Sequence, residues 1–258
     1  MTRMAHVLTL LGVIAVPVIG WFAADWSGAT TLVVYWFETL AVCGFICSRL
    51  ALHRRWNPLR GHFDYRGPSE GRRNRQSASF VSGFALVAFA FSAAHGLFLG
   101  VILFMLDHNG FGSLVQIDWW SVVFGCLTVI GLLTLDFLID LISLRKWTFW
   151  QVEQLANGGL SRVIVVHLTL IFGFLGVAIT NAPDAFFGVF VVLKSMAALG
   201  GVVPQYEPAV APKWLSSMMN RVPSVHPGKK FEDFWAQDRA DERARRERNE
   251  QPWVRNRR

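Results

Sequence analysis

The 258-residue sequence predicts an all-α polytopic membrane protein: a bundle of six transmembrane helices with both termini in the cytoplasm. Three observations carry that prediction. Six long apolar runs fill most of the chain up to Val203. Positive charge is confined largely to alternate connections and the tail. The connection His53 to Gln76 carries Arg54, Arg55, Arg60, Arg66, Arg72, Arg73 and Arg75 against only Asp64 and Glu70, and Arg145 with Lys146 marks the next such connection. The connections between them hold Asp25, Asp107, Asp118 and Asp184 and no Lys or Arg. Loops rich in Lys and Arg stay on the cytoplasmic side, which sets the orientation. Finally, hydrophobic residues make 53% of the chain and charged ones 17%, against roughly 25% charged in a soluble domain.

An apolar stretch of about 20 residues crosses a hydrocarbon core of about 30 Å as a helix, the form that satisfies every backbone group internally. The predicted spans are His6 to Ala24, Ala29 to Leu50, Ser79 to Leu106, Trp119 to Leu144, Arg162 to Thr180 and Asp184 to Val203. The first resembles a signal peptide in having Arg3 before it. Its apolar part is long and no small-residue cleavage site follows, so it reads as a retained span. The segment Trp147 to Leu160, opening with Trp147 and Trp150, is expected along the interface, where indoles sit well. Cys43, Cys47 and Cys126 all lie within spans and suggest neither a disulfide framework nor a zinc knuckle.

Residues 1–204 thus form the transmembrane domain and 205–258 a basic cytoplasmic tail, partly helical. Pro204, Pro208, Pro212, Pro223 and Pro227 divide the tail, and a helix resumes near Phe231. Phe231, Phe234 and Trp235 share one helical face, while Asp241 with Arg245 and Glu242 with Arg246 make acid-to-base pairs four residues apart. That segment is read either as an amphipathic contact with the anionic inner leaflet or as a solvated helix. The net charge of +7 follows from topology and gives no reason to expect nucleic acid as a partner.

A charged group at the bilayer centre costs about 2.5–3.5 kcal/mol on insertion scales, so mid-span ionisable residues are candidates for a site. Glu38, His95, Asp136, Asp140, His167 and Lys194 are such residues. At about 1.5 Å rise per residue, Glu38, Lys194 and His95 fall at similar depth from the periplasmic end and His167 a short step below. Asp136 and Asp140 lie nearer the cytoplasmic side, one turn apart on one face, with Asp140 in reach of Arg145 or Lys146. The candidate polar cluster is therefore Glu38, His95, His167, Lys194 and Asp136. Glu38 and Lys194 are the natural ion pair, and His95 and His167 the candidate ligands for a haem or a divalent metal. Ser92, Gly96 and Gly100 beside His95, and Gly173 with Gly176 near His167, supply small positions for close helix approach.

Tyr35-Trp36-Phe37-Glu38, His95-Gly96-Leu97-Phe98, Arg162 with His167, and Lys194, in that order, resemble a family of bacterial inner-membrane proteins of unknown function. The resemblance covers about residues 6 to 203. It implies a multi-pass inner-membrane location and a site at these positions, without a reaction. Members often carry a further His-Tyr-Gly about two turns before the His-Gly; here that region reads Ala85-Leu86-Val87-Ala88-Phe89.

Four function classes remain open from sequence. One is a structural or accessory membrane subunit whose polar cluster specifies the bundle. The others are a haem or metal site on His95 and His167, ion or proton transport through the cluster, and a membrane enzyme acting on a lipidic substrate. No nucleophile or zincin motif marks the last.

Overall fold

The computed structural model describes residues 2–67, 79–110, 112–161, 163–164, 192, 196, 208–221 and 230–254. It is built of helices: α1 (Thr2–Ala23), α2 (Gly28–Trp56), α3 (Phe80–His108), the one-turn α4 (Gly112–Val115) and α5 (Trp119–Ser143), followed by a helical stretch at 149–161. Two further helices, Lys213–Met219 and Phe231–Glu250, lie in the tail. Four helices are long and apolar enough to cross a membrane: Met4–Ala23, Gly28–Trp56, Phe80–Met105 and Trp119–Lys146. They coincide with the first four predicted spans. The fifth and sixth, with Arg162, His167 and Lys194, fall almost wholly outside the described residues.

The chain divides into two compact units, Met1–Asn57 with Val81–Val203, and Pro58–Phe80 with Pro204–Arg258. In the first, α2 is the central helix. Leu32, Tyr35, Thr39, Cys43, Ile46, Leu50 and His53 are buried on it, at the alternating three- and four-residue spacing that keeps one stripe of a helix facing its neighbours. On α3 the matching stripe is Phe84, Ala88, Ser92, His95, Leu99 and Ile102, and on α5 it is Val122, Gly125, Val129, Leu133 and Asp140. The opposite faces carry Leu86, Leu97, Phe104, Trp120, Phe124 and Ile142 fully in the open. A soluble protein does not leave so continuous an apolar surface bare.

Caps and small residues fix the helix ends and approaches. Ser27 caps α2 by accepting from the Thr30 amide, and Asp118 caps α5 by accepting from the Trp120 amide and the Ser121 hydroxyl. The Asp118 amide in turn donates to Thr30 Oγ1 at 3.0 Å, which joins the two starts. The Trp36 indole donates to the Ser92 carbonyl at 2.9 Å, and a Cβ on Gly96 would stand 2.9 Å from Trp36 Nε1. Ser92 and Gly96 thus give α2 and α3 the close approach expected of small residues, while Gly100 faces open space.

The stretch at 149–161 differs from the expected interfacial segment. Phe149, Val152, Glu153 and Ala156 are buried, and Gly159 lies against Ile46 and Phe84. A helical stripe of apolar residues outweighs the pull of Trp147 and Trp150 towards an interface, so the segment packs within the bundle.

In the second unit the helix near Phe231 forms as expected. Asp233 accepts from the Lys230 amide at its start, and Trp235 Nε1 donates to the Pro208 carbonyl. Phe63 stacks on Trp253, and Arg248 pairs with Asp64. The expected Glu242–Arg246 pair is present at 2.6 Å, but Arg245 bonds Glu242 at 2.7 Å rather than Asp241. The guanidinium also donates to the Arg66 carbonyl.

The Arg245 hydrogen bond, helped by Arg246, holds the Glu242 carboxyl down to about 2 from its usual 4.5. A carboxyl depressed by folding contributes stability above its unfolded value and loses it as pH falls through its folded one. Amide exchange over residues 231–250, corrected for intrinsic rates, is therefore expected to quicken between about pH 4.5 and 2. The variant Glu242→Gln should exchange faster at neutral pH and lose that dependence; an unchanged profile would count against the pair as a stabilising contact.

Candidate functional site

One charged network ties three of the long helices. Asp136 and Asp140 stand one turn apart on α5, so their carboxylates are neighbours on a single face. Arg49, in the last third of α2, places its planar fork between them: Nε meets Asp140 Oδ2 at 2.7 Å and Nη2 meets Asp136 Oδ2 at 2.7 Å. A guanidinium presents donors in a fixed plane, which suits bridging two carboxylates as a lysine could not. The Phe137 ring lies 5.3 Å from the guanidinium carbon, with Phe45 packed against that ring.

From α1, His6 closes the other side. Its Nδ1 is 2.8 Å from Asp136 Oδ1 and its Nε2 is 3.2 Å from Asp140 Oδ1. Thr9, one turn on, donates to Asp136 Oδ1 at 3.0 Å. Arg49, His6 and Thr9 together thus meet all four oxygens of the two carboxyl groups.

Its burial is graded. The Arg49 side chain is 4% exposed and Asp140 7%, while Asp136 is 26% and His6 34% exposed. The interior end is sealed and the His6 end is reachable.

His6, Asp136 and Asp140 also present ligand atoms within 4.8 Å of one another. The four carboxylate oxygens are already engaged by Arg49, His6 and Thr9, so a cation would have to displace His6 and lie beside a guanidinium. The donor set fits an ion-pair network better than a metal shell.

Of the predicted site residues, Asp136 belongs to this network. Asp140 does not reach for Arg145 or Lys146. It is met inside the bundle by Arg49, while the Arg145 guanidinium lies over the Trp56 ring. Glu38 stands on α2 about 16 Å along the axis from Arg49, a separate level of the bundle. His95 is fully buried on α3, between Ser92 and Leu99. His167 and Lys194 lie outside the described residues, so the Glu38–Lys194 and His95–His167 pairings do as well.

Sequence reading missed His6, Thr9 and Arg49. His6 and Arg49 sit at the ends of predicted spans, where an ionisable group is ordinarily explained by snorkelling to the interface. The usable signal was Asp136 with Asp140: two carboxylates on one helix face near a bundle end call for a cation from a neighbouring helix.

Long apolar helices, bare outer faces and an internal ion-pair network define a multi-helix protein of the membrane-crossing class. The chain belongs to the family of unknown function DUF6498, which it matches over residues 1–220, a range that includes the whole network. No curated protein and no solved structure matches it.

Proposed function

We propose that this is a six-span protein of the bacterial inner membrane with both termini in the cytoplasm, serving as a structural or accessory subunit. Its charged network locks α1, α2 and α5 in register. The observation that carries this reading is Arg49, a fully buried cation bridging both carboxylates of α5. Such an arrangement specifies one helix alignment, because a slipped register would strand charges in a low-dielectric interior.

The orientation is testable with an impermeant thiol reagent on intact cells. Cysteine at position 66 is expected to stay unlabelled until the membrane is opened, and cysteine at position 112 to label at once. The reverse pattern overturns the orientation.

A second reading, proton exchange at the network, is favoured by the partial exposure of His6 and Asp136. It predicts that proteoliposomes carry a proton flux that Asp136→Asn abolishes; equal flux in the variant removes it.

For the midplane group we propose that Glu38 pairs with Lys194 and that His95 and His167 share an interior cavity, on the ground of matched depth. Lys194→Met should then lower the melting midpoint more than Lys194→Met combined with Glu38→Gln. Absorbance and metal analysis of the purified protein separate a haem or divalent ion from a plain polar cluster.

A further inference from the structure

We infer that the short helix Lys213–Met219, with Val210 before it, is an interfacial anchor that seats on anionic lipid headgroups. The inference rests on the multi-span reading above and sharpens it by naming where the tail meets the bilayer.

The sequence offers a different candidate, the Phe231, Phe234 and Trp235 face. In the structure that face is partly used up. Phe231 packs against Trp235, Arg239 lies over the Trp235 ring, and the Trp235 N–H is spent on the Pro208 carbonyl. By contrast Val210 is 77% exposed, Trp214 70% and Met218 53%, with Met219 also exposed. Trp214 and Met218 are one turn apart and therefore share a face. Beneath them Ala211 and Ser216 are buried, so the helix is held by its other side and presents this one. Outside the four long helices, the other large bare apolar side chains among the described residues are Ile164, Val192 and Met196, which fall in the predicted fifth and sixth spans, and Val254.

Three features choose lipid as the occupant. Lys213 and Arg221 bracket the apolar face, and Lys230 follows. Basic residues beside an apolar surface match an anionic leaflet, each contributing about 1 kcal/mol near the surface. Trp214 has an apolar body and a polar N–H, the combination that favours the headgroup level. The connection from the predicted end of the sixth span at Val203 is also short. Seven residues reach at most about 25 Å when fully extended, which keeps Val210 within range of the membrane surface. The family match runs to residue 220 and so takes in this helix with the spans.

The test places a nitroxide on Met218→Cys, and separately on Trp214→Cys, in the full chain reconstituted into nanodiscs containing phosphatidylglycerol. The parent chain is labelled in parallel to subtract Cys43, Cys47 and Cys126. Collision with oxygen is expected to exceed collision with a water-soluble nickel chelate at both positions, and the order to reverse at Ala244→Cys on the exposed side of the long tail helix. Replacing phosphatidylglycerol by phosphatidylcholine, or adding Lys213→Glu with Arg221→Glu, should shift 214 and 218 towards water. Nickel access dominating at 214 and 218 in a correctly inserted chain overturns the anchor alone. Immersion indifferent to headgroup charge overturns the anionic part. Spin broadening that vanishes on dilution with unlabelled chain overturns lipid in favour of a second copy. A chain that stays soluble without detergent and does not enter nanodiscs overturns the anchor and the membrane reading together.

Discussion

Arg49→Met is expected to destabilise the folded chain by about 3–5 kcal/mol, the usual consequence of removing one partner from a buried ion pair. The side chain it replaces is 4% exposed and meets two carboxylates at 2.7 Å each. Methionine fills much of the volume beside Phe137 but offers no donor, so Asp136 and Asp140 would keep only the contacts from His6 and Thr9. Adding Asp136→Asn and Asp140→Asn to the same chain removes the stranded charge. That triple variant should recover most of the loss, since apolar or neutral replacements of a whole buried network are often tolerated. Melting midpoints of the three proteins, parent, Arg49→Met and the triple variant, followed in one detergent by helical circular dichroism, give the comparison. If Arg49→Met alone melts like the parent, the network contributes nothing to holding α1, α2 and α5, and the structural role proposed for it fails.

That contrast also shows what the sequence could and could not reveal. Span position and helical character are local properties: Gly28–Trp56 and Trp119–Ser143 are helical because long apolar stretches have no other way to satisfy their backbones in lipid. They were legible residue by residue. Which helix lies beside which is not local. Asp140 could be placed near the cytoplasmic end from its position alone, and the nearest cations in sequence, Arg145 and Lys146, were the natural partners. The partner is Arg49, 91 residues away in the chain, and only the packing of α2 on α5 selects it. His6 was similarly hidden because a histidine at a span boundary has an ordinary explanation. The stretch at 149–161 went the other way: its tryptophans spoke for the interface, yet its buried stripe at Phe149, Val152 and Ala156 is a helical pattern that could have been read.

The far end of the same bundle depends on a wedge that tolerates no added carbon. Asp25 adopts a left-handed conformation at φ 50°, and the Trp26 amide reaches back to the Gly20 carbonyl at 2.9 Å. Asp is among the few residues that take this conformation readily. The turn drives the Trp26 indole into a notch between α1 and α5. A Cβ on Gly20 would lie 2.3 Å from indole Cδ2 and Cε3, and one on Gly125 would lie 2.9 Å from Cη2. The ring is gripped on both sides, so it cannot slide away from one glycine without meeting the other helix. Gly20→Ala is therefore expected to cost about 1–3 kcal/mol, the range for overpacking a close-fitted contact, against an intrinsic helix gain of about 1 kcal/mol for replacing glycine by alanine. Gly131→Ala on α5 is the control: its Cβ meets nothing within 4 Å, so only the helix gain should appear and the melting midpoint should hold or rise. Trp26→Leu shortens the wedge, and in that background Gly20→Ala should cost less than in the parent, a non-additivity expected for residues in direct contact. Equal effects of Gly20→Ala and Gly131→Ala on the midpoint would show that the indole is not seated in the notch.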